Sequence, residues 1–157
     1  MQLVAAIDKQ KNMRAILGLF EGVVTGAADG YGRMKDKPAV TLLHLGPGLA
    51  NGLANLHNAK RARTPLINVV GDHAVEHLKY NAPLTSDIVG VASPMSNWVR
   101  TSISPSDLAS AGAEAIAESQ SYPGKICTVI APGDHAWGEN ASVAAQLLSL
   151  IHISEPT

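Results

Sequence analysis

The sequence predicts an α/β fold: an open, mainly parallel sheet with helices on both faces. Three observations carry that expectation. Apolar, β-branched runs alternate with helical patterns, and glycine and proline punctuate the joins. Several of the runs are apolar throughout, as strands covered on both faces are. The chain has 157 residues, enough for one domain with a real core and too few for two comfortable ones. Strand–helix units repeated at this length imply parallel strands joined by crossover helices.

In chain order, a short helix-like segment comes first, with no strand before it. The strand-like runs are Arg14–Leu19, Ala39–Leu45, Leu66–Val70, Trp98–Thr101 and Lys125–Ala131. Helices are expected over Glu21–Met34, Leu49–Arg61, a shorter stretch near Ser86–Ser93, and Pro105–Gln120. The last is the best marked, with Ser104 as N-cap, Pro105 at the first helical position and Asp107 in the first turn. Tyr122-Pro123-Gly124 then turns the chain into the final strand. The domain is expected to occupy residues 1–140. The decapeptide from Leu148 to Thr157 continues no pattern and resembles translated sequencing-adaptor sequence, so residues 141–157 read as a tail that is partly artefactual.

Composition narrows the function classes. Charged residues make up 16% and the formal net charge is −1, so there is no electrostatic footprint for nucleic acid or an anionic membrane surface. The tightest basic cluster, Lys60-Arg61-Ala62-Arg63, falls at a helix end, where cations pair with the last carbonyls. Cys127 is the single cysteine, which forbids an internal disulfide and fits a reducing compartment. It sits in a strand-like run and reads as a buried, inert thiol. The N-terminal residues lack the pattern of a signal peptide, and no apolar run reaches membrane-spanning length. A cytoplasmic location is the expectation.

Two constellations could carry chemistry. Glu21 closes an apolar run and opens a helix of small residues, and a carboxylate is costly to bury without a partner. It is either solvated at a helix start, where the dipole favours an acid, or held dry for chemistry. Gly22, Gly26 and Gly30 follow at every fourth position and share one face. Each weakens the helix by roughly 1 kcal/mol relative to alanine. The stripe must therefore be offset by close packing against another helix, a second subunit or a ligand. The second constellation is a strand, turn and helix over residues 40–55, with His44 at the strand end and Gly46-Pro47-Gly48 in the turn. Ligands of open α/β sheets bind outside the carboxyl ends of strands, and Glu21 and His44 are expected to project from two such consecutive ends. The turn matches neither a Walker A loop nor the dinucleotide fingerprint. Asp72, His73 and His77 follow the third strand, but no paired cysteines or further spaced histidine complete a zinc set. No Gly-x-Ser-x-Gly elbow is present.

Phe20-Glu21-Gly22 with Ala27-Ala28-Asp29-Gly30-Tyr31-Gly32-Arg33, then Gly46-Pro47-Gly48-Leu49-Ala50-Asn51, then Thr64-Pro65-Leu66-Ile67 and Gly71, together resemble the thiamine-diphosphate-dependent enzymes. The resemblance is to the pyrimidine-binding N-terminal domain of acetolactate synthase large subunits and benzoylformate decarboxylases. It covers most of residues 13–139, in matching order and spacing.

That resemblance implies a role for each matched position. A glutamate in these enzymes hydrogen-bonds a ring nitrogen of the cofactor's aminopyrimidine and favours the imino tautomer, which generates the thiazolium ylide. The ylide attacks a 2-oxo acid such as pyruvate, and the thiazolium then serves as electron sink. The activating role falls to Glu21. His44 stands where decarboxylase-like members carry a histidine that assists proton transfer, whereas synthases usually have a hydroxyl residue. Gly46, Pro47, Gly48 and Asn51 follow the synthase wording and are implied cofactor-binding residues. Asp72 departs from the glutamine common to both groups. The implied cofactors are thiamine diphosphate and Mg2+, and some synthases of branched-chain amino acid biosynthesis also bind FAD.

Two family elements do not occur in the sequence. A first strand with its Pro-Gly loop is expected before Met1, and a diphosphate-binding domain with a Gly-Asp-Gly…Asn magnesium motif is expected after the last strand. The implied partners are a 2-oxo acid and a second subunit, in a dimer or tetramer, that completes the site. Three readings stay open: a fragment of a synthase-like or decarboxylase-like enzyme, a split subunit whose partner carries the other half-site, and a non-catalytic α/β module.

Overall fold

The computed structural model describes residues 2–139; the proposed tail, residues 141–157, lies outside them. The strands β1 (Ala39–His44), β2 (Leu66–Asp72), β3 (Trp98–Thr101) and β4 (Ile126–Pro132) form a wholly parallel sheet in the order β1-β2-β4-β3. Around it lie helices α1 (Gln2–Asp8), α2 (Glu21–Lys35), α3 (Leu45–Ala62), α4 (Ile88–Ala92), α5 (Pro105–Gln120) and α6 (Gly133–Trp137). A 3-10 turn spans Val75–Tyr80.

Strand residues alternate between two cores, the period-2 geometry of a sheet covered on both faces. On one face Leu43, Leu66, Val70, Ile126 and Ile130 meet Leu49, Leu56 and Ala59 of α3, Ala28 of α2, and Ile88 and Ala92 of α4. On the other, Ile67, Cys127 and Val129 meet Ala111 and Ala115 of α5. Cys127 is fully buried there, and burial pushes its thiol up to about 12, which makes it the inert thiol the sequence suggested.

A polar ladder crosses the first of these faces. Thr41 donates to Asn68 Oδ1 at 2.7 Å, Asn68 Nδ2 donates to Thr128 Oγ1 at 3.1 Å, and the Ser96 hydroxyl meets Thr128 Oγ1 at 2.8 Å. Thr41, Asn68 and Thr128 are direct register partners. A one-residue slip would leave these buried groups unpaired, so the ladder fixes the alignment of three strands.

Helix α5 begins and ends where expected, with the Ser104 side chain accepting from the Asp107 amide at 3.1 Å. Arg100 of β3 pairs with Asp107 and Glu114, tying that helix to the sheet. Asp87 caps α4, its side chain accepting from Gly90 N. At the top of β3, Ser102 Oγ and His135 Nδ1 lie 2.9 Å apart, a buried pair that pins α6.

The expected strand Arg14–Leu19 is not one. Residues 13–18 have no regular structure, and Leu17 and Leu19 are 89% and 96% exposed. A strand exists through its ladder, and this run has no partner among the described residues. β1 is likewise an outermost strand among the described residues, and its Val40 and Leu42, on the face opposite Leu43, are exposed. Glu21 therefore does not project from a strand end; it is the first residue of α2.

Candidate functional site at the carboxyl ends of β1 and β2

His44 is the last residue of β1, and α3 begins at the very next position. The reversal is made by Leu45, whose φ of 55° is in the left-handed region. Such a conformation costs a non-glycine residue about 1–2 kcal/mol, here held by a side chain buried in the core. Gly46-Pro47-Gly48 is thus the first turn of a helix and not a separate loop, a correction to the sequence reading. Proline is tolerated in that turn because its missing N–H has no partner there. A side chain at Gly46 would collide with Ser86, so the chain leading into α4 lies directly on this turn.

Helix α2 packs against α3, and the crossing gathers the candidate residues. Asn51 Nδ2 donates to Glu21 Oε2 at 3.1 Å. A Cβ on Gly48 would lie 3.5 Å from Glu21 Oε1 and 3.6 Å from the His44 Cβ. Glu21, His44, Gly48 and Asn51 therefore gather at the carboxyl end of β1. Glu21 is half-buried at the start of its helix, while His44 and Asn51 are exposed. The acid is neither dry nor free in solvent: one oxygen is held, and the other faces the space that Gly48 leaves open.

The glycine stripe divides. A Cβ at Gly22 would come within 2.5 Å of the Phe20 ring, and one at Gly26 within 2.9 Å of Asn55 Nδ2. Gly30 has nothing within 4 Å. Close packing explains the first two; for the third it does not apply among the described residues.

Several polar residues at this crossing escaped the sequence reading. Thr25, fully buried, places Oγ1 3.0 Å from Glu21 O and 3.1 Å from Gly52 O. Asn55 Nδ2 donates to Gly22 O at 2.6 Å. Farther along α2, Asp29 accepts from Arg33 Nε and Nη2 at 2.9 and 2.7 Å, and from Thr64 Oγ1 at 2.7 Å. Burial opposes its charge, but the hydrogen bonds from Arg33 and Thr64 and the attraction of Arg33 outweigh that and hold the carboxyl below its ordinary value.

Asp72 ends β2 half-buried, its Oδ1 accepting from the His73 amide at 2.7 Å. The His73 and His77 rings lie 5.2 Å apart, and His77 faces Tyr80 at 5.7 Å. Among the described residues, no group of three or more His, Cys, Asp or Glu is arranged to hold a metal ion.

Comparison with known proteins shows the family of the chain. The family model described as "Thiamine pyrophosphate enzyme, N-terminal TPP binding domain" matches residues 1–92. A Mycobacterium tuberculosis protein assigned as an acetolactate synthase large subunit is 55% identical over 145 residues, which are 92% of this chain and 28% of that protein. Benzoylformate decarboxylase from Pseudomonas aeruginosa is 28% identical over 148 residues, 94% of this chain and 28% of that enzyme. The crystal structure of benzoylformate decarboxylase from Polynucleobacter necessarius superposes with a TM-score of 0.79 at 27% identity, covering 88% of this chain and 27% of that one. The chain thus spans little more than a quarter of the length of these relatives.

Proposed function

The chain belongs to the thiamine pyrophosphate enzyme family, as its N-terminal TPP binding domain, and we propose that it supplies the pyrimidine-activating half of an acetolactate synthase-like active site. The observation that carries this reading is the placement of Glu21. Its carboxylate is half-buried, one oxygen is fixed by Asn51, and the other is open beside Gly48. The donor set suits a flat nitrogen heterocycle, because a side chain at position 48 would fill the space between the acid and His44.

Thiamine diphosphate, when bound, would supply a nucleophilic carbon for the carbonyl of a 2-oxo acid and a cationic thiazolium ring as the sink for the electron pair released with carbon dioxide. The work of this chain is to hold and move protons around that chemistry. Glu21 would hold a proton at Oε1 for a ring nitrogen of the pyrimidine, general acid–base work that needs a positioned carboxyl. Asn51 keeps Oε2 engaged so that Oε1 points toward the open side. Gly48 keeps the approach free of a side chain. His44, exposed at the strand end, stands ready to exchange protons with substrate.

His44 favours a second reading, a benzoylformate decarboxylase-like enzyme releasing an aldehyde instead of joining two oxo acids. Product analysis with pyruvate and with aromatic 2-oxo acids separates the two. In either case the diphosphate and Mg2+ belong to a further domain, and a second subunit completes the site.

The test is made on the complete protein, with both halves of the site, thiamine diphosphate and Mg2+. Glu21→Gln is expected to abolish most carbon dioxide release from the preferred oxo acid while cofactor binding persists. Full activity in that variant would overturn the proposal and favour a non-catalytic module. The 157-residue chain alone is expected to release none.

A further inference from the structure

We infer that Thr25 and Asn55 are positioning residues for Glu21, an inference that rests on the activating role proposed for that acid. The crossing of α2 and α3 is made close by small residues from both helices. A Cβ at Gly26 would sit 2.9 Å from Asn55 Nδ2, and one at Gly52 would sit 2.7 Å from Thr25 Cγ2. At this closest approach the contacts are polar. Thr25 shares its hydroxyl proton between Glu21 O in its own helix and Gly52 O across the crossing. Asn55 donates across it to Gly22 O at 2.6 Å.

The net stability that a single hydrogen bond contributes is modest, so holding the two helices together is not what distinguishes these contacts. Hydrogen bonds add direction. These two end on the carbonyls of Gly52 and Gly22, and the Thr25 hydroxyl also engages the carbonyl of Glu21 itself. They fix the first turn of α2 relative to the helix that carries Gly48 and Asn51. Sliding α2 along α3 would break both latches and carry Glu21 away from Asn51. The same crossing therefore sets the register of the acid.

The experiment compares Thr25→Val, Thr25→Ser, Asn55→Ala and Glu21→Gln in the complete protein. Three quantities are read: exchange of the thiazolium C2 proton in the bound cofactor, the cofactor dissociation constant, and amide hydrogen exchange over residues 22–25 in the cofactor-free protein. Thr25→Val and Asn55→Ala are each expected to slow C2 exchange by about tenfold, a fraction of what a 1 Å misplacement can cost. They are expected to speed amide exchange in the first turn and to leave cofactor affinity nearly unchanged; Thr25→Ser restores the parent behaviour. Should Thr25→Val fail to fold, the half-buried Asn55 decides alone. Unchanged C2 exchange in the folded variants, with Glu21→Gln still impaired, sinks the positioning role only. Unchanged exchange in Glu21→Gln sinks the underlying reading.

Discussion

Glu21 and Asp29 are carboxylates on one helix, about two turns apart, and their surroundings are opposite. Asp29 is 8% exposed and accepts three hydrogen bonds, two from Arg33 and one from Thr64. Glu21 is half-buried and accepts one, from the neutral amide of Asn51. A saturated acid is locked in its charged form and joins α2 to the chain that follows α3. The second oxygen of Glu21 has no hydrogen bond among the described residues. On the function proposed above, environment gives two like groups different work, although both belong to the same sequence motif.

The contrast breaks most visibly through function. Glu21→Gln in the complete protein is expected to lower turnover by about 10²–10⁴-fold, the range of a lost general acid–base group, with the unfolding midpoint unchanged. Asp29→Asn should do the reverse, keeping the turnover of the folded fraction and costing about 1.5–3 kcal/mol of stability, the range for hydrogen bonds to a charged group. Urea denaturation and steady-state assays on both variants check the crossed pattern. If each variant loses both properties equally, the division of labour between the two acids is wrong.

Acid titration sharpens the same comparison. The folded state holds the Asp29 carboxyl below its ordinary value. Its contribution to stability is therefore complete above the ordinary aspartate range and disappears as pH falls through the depressed value. In Asp29→Asn that part of the acid limb should vanish, so stability curves of parent and variant converge at low pH. Parallel curves down to strong acid would contradict the assignment.

The sequence made much of this legible. Four of the five expected strands and the whole of α5 stand where periodicity and capping placed them, because each is specified locally and each strand has a neighbour. Arg14–Leu19 failed for the complementary reason: its apolar residues are right for a strand, but pairing is a property of the sheet and not of the segment. Gly46-Pro47-Gly48 read as a turn because proline and glycine usually break helices. In the fold, Leu45 alone makes the reversal at positive φ, an adjustment that local propensity disfavours and tertiary burial holds. At the candidate site, the sequence marks Glu21, His44, Gly48 and Asn51 as candidates. The hydrogen bonds of Thr25 and Asn55 across the helix crossing are not legible there, since contacts 27 and 33 positions apart leave no trace in local spacing.

The glycines of α2 offer the gentler tests. At Gly32 a Cβ would lie 2.5 Å from Thr64 Cγ2 and 2.8 Å from the Pro65 carbonyl oxygen, so the neighbouring backbone would have to move. Gly32→Ala should cost about 1–3 kcal/mol, as overpacking does, and part of that loss should disappear when Asp29 is already Asn, because displacing Thr64 disturbs the same network. Gly30 is the counterexample on the same helix. Nothing within 4 Å meets its Cβ and its φ is not left-handed, so helix propensity alone applies and Gly30→Ala should stabilise by about 0.5–1 kcal/mol. Chemical denaturation of the complete protein measures the gain. A loss instead would mean that the exposed side of α2 at Gly30 is covered closely by another part of the complete protein, and the third glycine of the stripe would then have the same packing origin as Gly22 and Gly26.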